Sequence, residues 1–227
     1  MQYLSQRLAN ESIGTRRGER ADGSRAATQR ERLLAAAERL IAERGCAGTS
    51  IEAVVKAAGV ATITFYEQFE DKEACFAAAF DRAVEETLAG LREAVAAEAG
   101  WEGLVRAGLA ALAAAIEAEP ARARMCLVEA PMGGAGLRSR YDELLDRAAA
   151  WLRRGRGLDS APGELSDAVE EATVGGLAWL LRERLELGGD GGGGVGDLLP
   201  RMTEIALSPY LGDTLLAAAA ESPDGDG

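Results

Sequence analysis

Two runs of apolar residues with helical spacing, each closed by a glycine, constrain this chain more than any other feature. Leu33, Leu34, Ala37, Leu40 and Ile41 fall at i, i+1, i+4, i+7 and i+8, one face of a helix, and Gly45 follows. Ile51, Val54, Val55 and Ala58 repeat the pattern, and Gly59 closes it after about two and a half turns. Each run is announced by a threonine with a glutamate three residues on, Thr28 with Glu31 and Thr49 with Glu52. That spacing is a capping box, which satisfies two otherwise unpaired N–H groups at a helix start. A third, shorter helix is expected over about 62–69, burying Phe65 and Phe69 one turn apart. Asp71 stands where it can cap a fourth helix, whose stripe is Phe76, Ala79, Phe80, Ala83, Val84, Leu88 and Leu91.

The rest of the chain continues the helical pattern. Alanine and leucine dominate while β-branched and aromatic residues are sparse, a composition that favours helix over strand. Further helices are expected at roughly 101–118, 121–130, 137–155, 163–187 and 196–220. Their breaks are Gly100, Pro120, the PMGGAG segment at 131–136, the GRG at 155–157 and the glycine run at 188–194. The fold class is therefore all-α, with about nine helices. The glycine run contains a literal G-x-G-x-x-G at Gly191, Gly193 and Gly196, but it follows a helix rather than a strand and has no lysine for a phosphate loop. It reads as a loop.

Charge divides the sequence. The net charge of the 227 residues is −12. Residues 1–75 hold 11 Lys+Arg against 11 Asp+Glu, whereas residues 76–227 hold 14 against 26, so the whole acidic excess lies in the second part. Residues 1–32 carry seven arginines and four acids, and residues 1–27 lack periodicity, so they are expected to form a disordered basic arm. Histidine is absent, which removes imidazole-activated serine and cysteine nucleophiles and histidine-bound zinc. The three cysteines, Cys46, Cys75 and Cys126, are too few and too scattered for a four-thiolate site, and no aspartate-rich cluster occurs. No catalytic residue, metal or cofactor is expected. The N-terminus lacks the apolar core of a signal peptide, and the longest uncharged apolar run, between Arg106 and Glu117, has ten residues. No membrane association is expected, and reduced thiols in the cytoplasm are the simplest reading of the cysteines.

The two short helices at about 50–58 and 62–69, joined through Gly59, match a helix-turn-helix, which lays its second helix in the major groove of DNA. With the sequence LLAAAERLIAERGCAGTSIEAVVKAAGVATITFYEQFEDKEACF, this region resembles the DNA-binding domain of the TetR (tetracycline-repressor) family of bacterial transcription regulators. Arg44-Gly45, Thr49-Ser50, Ala58-Gly59-Val60, Thr64, Tyr66, Phe69, Lys72 and Glu73 stand where that family's pattern has them. The resemblance implies a three-helix helix-turn-helix domain over 28–88, joined by a long helix to a ligand-binding and dimerisation domain over 89–227. It implies double-stranded DNA, a small-molecule effector and a second copy of the chain as partners. Carried over by position, it makes Thr62, Ile63, Thr64, Glu67 and Gln68 groove-facing residues and Thr49, Ser50, Tyr66 and Lys72 phosphate contacts.

Their chemistry agrees with these roles. Hydroxyls and an ammonium donate to phosphate oxygens, Gln68 can read adenine, Glu67 can accept from cytosine N4, and the methyls of Thr62 or Ile63 can meet a thymine methyl. Arg16, Arg17, Arg25 and Arg30 are candidates for an arm that follows the DNA backbone or enters the minor groove. Three positions depart from the family pattern. Ala61 replaces the usual serine and gives up about 1 kcal/mol of capping; Ile63 replaces a small residue; Glu67 stands where histidine is frequent.

In the acidic part, Val169, Ala172, Thr173, Gly176, Leu177, Leu180 and Leu181 form the expected stripe of helix 163–187. The mid-helix pair Gly175-Gly176 calls for close approach of another helix, and the resemblance makes this helix, with helix 196–220, a dimer seam. Trp101, Met125, Cys126, Tyr141, Trp151 and Trp179 are the candidate ligand-binding residues, because large apolar side chains line ligand cavities. The resulting expectation is a repressor that binds a palindromic operator as a homodimer and is released by a small molecule. An all-helical small-molecule enzyme and a helical protein-interaction module are the other classes open to such a chain. Neither accounts for capping boxes that bracket a helix-turn-helix.

Overall fold

The structure, a computed structural model, describes residues 26–158, 165–187 and 193–211. Every regular element among them is helical. In chain order these are α1 (26–48), α2 (Ile51–Ala58), α3 (Thr62–Gln68), α4 (Lys72–Val95), α5 (Trp101–Ala118), α6 (Pro120–Arg124), α7 (Ala135–Leu152), α8 (Asp167–Glu186) and α9 (Leu199–Leu211). A π-helical turn, Met125–Glu129, and a 3₁₀ turn, Ala130–Met132, connect α6 to α7. The chain divides into two compact units between Ala79 and Phe80, within α4 and earlier than the expected boundary at 88.

The first unit buries the expected stripes. Leu33, Leu34, Ala37, Leu40 and Ile41 of α1, Val54, Val55 and Ala58 of α2, and Phe65, Phe69, Phe76 and Ala79 are all in its interior, while Ile51 is half-buried. Two caps differ from expectation. α1 is already helical at residue 26, so Thr28 lies inside it rather than at its start. At α2 the cap is Ser50, whose Oγ accepts from the Ala53 N–H at 3.3 Å. Thr49 instead turns inward, 1 % exposed, and its hydroxyl donates to the Gly45 carbonyl at 2.9 Å. Both residues have a hydroxyl at the helix entry, and burial of the threonine methyl gives the cap to serine. Asp71 does cap α4, its Oδ1 accepting from the Ala74 N–H at 2.7 Å.

The second unit is built on α5 and α7–α9, with α7 packed along α8 and α5 along α9. One core cluster gathers Trp101, Val105, Ala149, Leu152, Val174, Leu207 and Tyr210; another gathers Ala113, Ile116, Leu180, Leu181, Leu198 and Met202. Trp101 and Trp151 lie against each other with centroids 4.7 Å apart, and Tyr210 meets Trp101 edge-on at 6.0 Å. Close packing here requires a glycine: a Cβ on Gly155 would stand 2.6 Å from Trp101 Nε1 and 2.9 Å from Tyr210. The stripe of α8 is rotated from the expected one. Thr173, Val174, Ala178, Leu180 and Leu181 are buried, whereas Ala172 is exposed.

The rotation brings a carboxylate inside. Glu170 is fully buried, held by both ends of the Arg156 guanidinium at 2.9 and 2.6 Å and by the Tyr210 hydroxyl, which donates to it at 3.0 Å. A buried charge is tolerable when paired and hydrogen-bonded on every side. The cluster joins the end of α7, the start of α8 and the end of α9. Hydrogen bonds from Arg156 hold the Glu170 carboxyl below the usual range, against the opposing effect of burial. The stability it supplies is therefore present above the ordinary carboxylate range and is lost as pH falls through the lowered folded value.

Glu170→Gln is expected to destabilise the protein by roughly 1–3 kcal/mol at neutral pH, the worth of its charge-assisted hydrogen bonds, with Arg156 keeping Asp167 at 3.0 Å. The variant should also lose less stability on acidification than the parent; thermal melts between about pH 7 and about pH 4 check both outcomes.

Candidate nucleic-acid interface and cavity

The turn between α2 and α3 is set by Gly59, at φ 63 and ψ 43, the left-handed region that only glycine enters without strain. Its N–H donates to the Val55 and Lys56 carbonyls, and the Val60 N–H returns to Val55 at 3.2 Å, so the last carbonyls of α2 are satisfied. Arg32 reaches from α1 to donate to the Gly59 carbonyl at 3.1 Å. The turn is therefore held from both sides.

α3 has the sequence TITFYEQ. Its inner side buries Thr64 and Phe65; Phe65 packs edge-on to Tyr66 and tilted against Phe69, both at 5.5 Å between centroids. Its outer side presents Thr62, Ile63, Tyr66 and Glu67, with Gln68 half-buried at the margin. Ile63 is 68 % and Tyr66 54 % exposed. Ala61 stands at the N-cap without a side-chain hydrogen bond, as its methyl dictates.

The expected site residues thus separate. Thr62, Ile63, Tyr66 and Glu67 share one side of α3, Gln68 is half-buried between the positions of Thr64 and Phe65, and Ser50 is exposed at the start of α2. Thr64, at 8 % exposure, and Thr49 are inside, so neither is on the open face. Lys72 is half-buried, its ammonium 5.8 Å from the Phe76 ring. Arg30 belongs to α1 rather than to an arm: its guanidinium lies 4.6 Å over the Phe69 ring, a cation–π contact. Arg16, Arg17 and Arg25 lie outside the described residues. Neither Lys nor Arg occurs in α3, and residues 26–79 hold six Lys+Arg against eight Asp+Glu.

In the second unit a cavity of about 80 Å³ opens between α4, α5, the α6–π segment and α7. Val84, Leu88, Ile116, Ala123, Leu127 and Leu144 give it an apolar wall; Thr87, Glu119, Arg122 and Cys126 complete it. Arg122 pairs with Glu86 of α4 at 2.6 Å. A second, polar cavity of about 260 Å³ shares Val84 and Leu144 and is lined by Asp81, Glu85, Glu143, Arg140 and Arg147. Arg140 pairs with Asp81 and Arg147 with Glu85, each at 3.4 Å.

Of the six expected ligand residues only Cys126 lines these cavities. Trp101 and Trp151 fill the core, Met125 is fully buried, Tyr141 is half-buried, and Trp179 is 56 % exposed on α8. Aromatic size marks burial and does not separate a filled core from an open cavity. The residues that do form the wall are small aliphatics; Val84 and Leu88 were visible in the α4 stripe, but only as core positions.

A glycine-locked turn between two short helices, the second with an open outer face, has the form of a helix-turn-helix. Residues 33–79 match the family model described as bacterial regulatory proteins, tetR family. The fold is similar to that of solved transcription regulators. The fatty acid degradation regulator FadR of Bacillus halodurans superposes with a TM-score of 0.68 at 19% identity, covering 78% of this chain and 97% of that one. Bacillus subtilis FadR, solved in complex with stearoyl-CoA, gives 0.67 at 18%, covering 79% and 98%. A TetR family transcription regulator from Marinobacter aquaeolei gives 0.62 at 17%, covering 82% and 97%. No curated protein sequence matches. No helix among the described residues is long and apolar enough to cross a membrane.

Gly59→Ala is expected to cost about 1–2 kcal/mol, the penalty of a side chain in the left-handed region. The new Cβ would also stand 2.7 Å from Arg32 Nη2 and push the clasp aside. Denaturant unfolding measures the loss.

Proposed function

We propose that this chain is a ligand-responsive repressor that binds a palindromic operator as a homodimer, leaves it when a small molecule occupies the second unit, and catalyses no reaction. It acts in the cytoplasm, where the DNA is. The observation that carries the reading is the outer face of α3, where Ile63, Tyr66, Thr62 and Glu67 stand in solvent beside a rigidly held turn. Apart from the edge-on contact of Tyr66 with Phe65, this face has no folding role, and its shape fits a major groove. Tyr66 and Ser50 donate to phosphates, and Gln68 and Glu67 offer amide and carboxylate groups to base edges.

The second copy is argued from α8. A Cβ on Gly175 or Gly176 would meet no atom within 4 Å, so close packing inside this chain does not explain the pair. With Trp179 exposed one turn further on, the face suits the backbone of a partner helix. A symmetric dimer would set two α3 helices about 34–36 Å apart, one turn of DNA.

The effector is a small molecule with a hydrocarbon body, in keeping with the aliphatic wall of the cavity and with the acyl thioester bound by the Bacillus subtilis relative. At about 80 Å³ the cavity is smaller than the roughly 300–1,000 Å³ of established ligand pockets. A ligand therefore enters by moving the walls, and a preference for the widened arrangement is what linkage to DNA release requires.

Purified protein is expected to select related duplexes from a random pool, with affinity that falls as salt rises. The absence of any selected sequence would defeat the regulator reading. Tyr66→Phe should weaken all duplexes alike by about tenfold or more, the worth of one hydrogen bond to a charged oxygen. Trp179→Glu should shift the protein toward monomer in sedimentation experiments.

A further inference from the structure

α3 is a poor helix by its own sequence. Thr62, Ile63 and Thr64 are three β-branched residues in a row, each of which loses side-chain freedom in a helix. The N-cap lacks a hydrogen-bonding side chain, and the first turn has no acid to favour the helix dipole. The helix is held from within, by Thr64, Phe65 and the neighbouring Phe69. Ile63 contributes nothing to that core, being 68 % exposed. A large aliphatic side chain kept in water at a position with a local cost points to a role outside the fold.

The chemistry of α3 narrows that role. Without Lys or Arg, it has no fork to read the O6 and N7 of guanine. Its hydrogen-bonding groups, at Thr62, Glu67 and Gln68, have polar partners on base edges. An isoleucine has none. In the major groove the one apolar group that distinguishes a base is the C5 methyl of thymine.

We infer that Ile63 is a specificity residue that reads a thymine 5-methyl group in each operator half-site. The inference rests on the DNA-binding reading above and adds the identity of one contact to it. Glu67, one helical turn along the same face, bars a phosphate from that patch and keeps Ile63 against base edges rather than backbone.

The test uses the full chain and the tightest duplex it selects from a random pool. Each thymine is replaced in turn by deoxyuridine, which removes the methyl and leaves base pairing intact. One position per half-site is expected to weaken binding about three- to fourfold, the worth of one buried methyl-sized group. Ile63→Ala should lose that sensitivity while keeping the response to the other positions, and Ile63→Val should retain it. Because Ile63 is exposed, Ile63→Ala should melt no lower than the parent, which separates contact loss from unfolding. Deoxyuridine tolerated at every position, or an unchanged profile in Ile63→Ala, would overturn the inference while leaving DNA binding intact. Failure to select any sequence would remove both.

Discussion

The placement of α3 depends on the backbone of Gly59. One left-handed residue ends α2, reverses the chain and starts α3 within a few residues, and a guanidinium from α1 closes over its carbonyl. The elements on either side are too short to be stable alone; helices of seven and eight residues fall well below the length at which isolated helices persist in water. They exist because the turn delivers Val54, Val55, Phe65 and Phe69 to a common interior. The outer face of α3 is then free to carry residues that helix propensity alone would reject.

The helix-turn-helix was legible in the sequence because its signals are local. Periodicity, a glycine at a helix end and an acid before α4 each act over four or five residues, and each stands where it was expected: Gly59 left-handed and Asp71 capping. The cap of α2 was misread by one residue. Thr49 and Ser50 are equivalent as cap candidates, and only the tertiary environment of the threonine methyl separates them.

The second unit was legible in its helices and not in its cavities. Trp101 and Trp151 were expected at a cavity and fill a core, while the cavity wall is made of residues with no chemical signature. A cavity is space left by residues distant in sequence, such as Val84, Ile116 and Leu144, and no local pattern records it. The same holds for Glu170, which reads as one more surface acid of a charged helix until Arg156 and Tyr210 close around it.

The outward-facing pair Gly175-Gly176 has a consequence for protein homeostasis. Each glycine costs a helix interior about 1 kcal/mol relative to alanine, and no neighbouring element among the described residues comes within 4 Å of where its Cβ would stand. Under the proposed pairing, a second copy supplies the missing contacts, so the folded fraction rises with the amount of protein present. Newly made or diluted chains would be the vulnerable ones, open longer to proteolysis than assembled pairs. The lifetime of the protein would then depend on its own abundance, through two glycines on one helix.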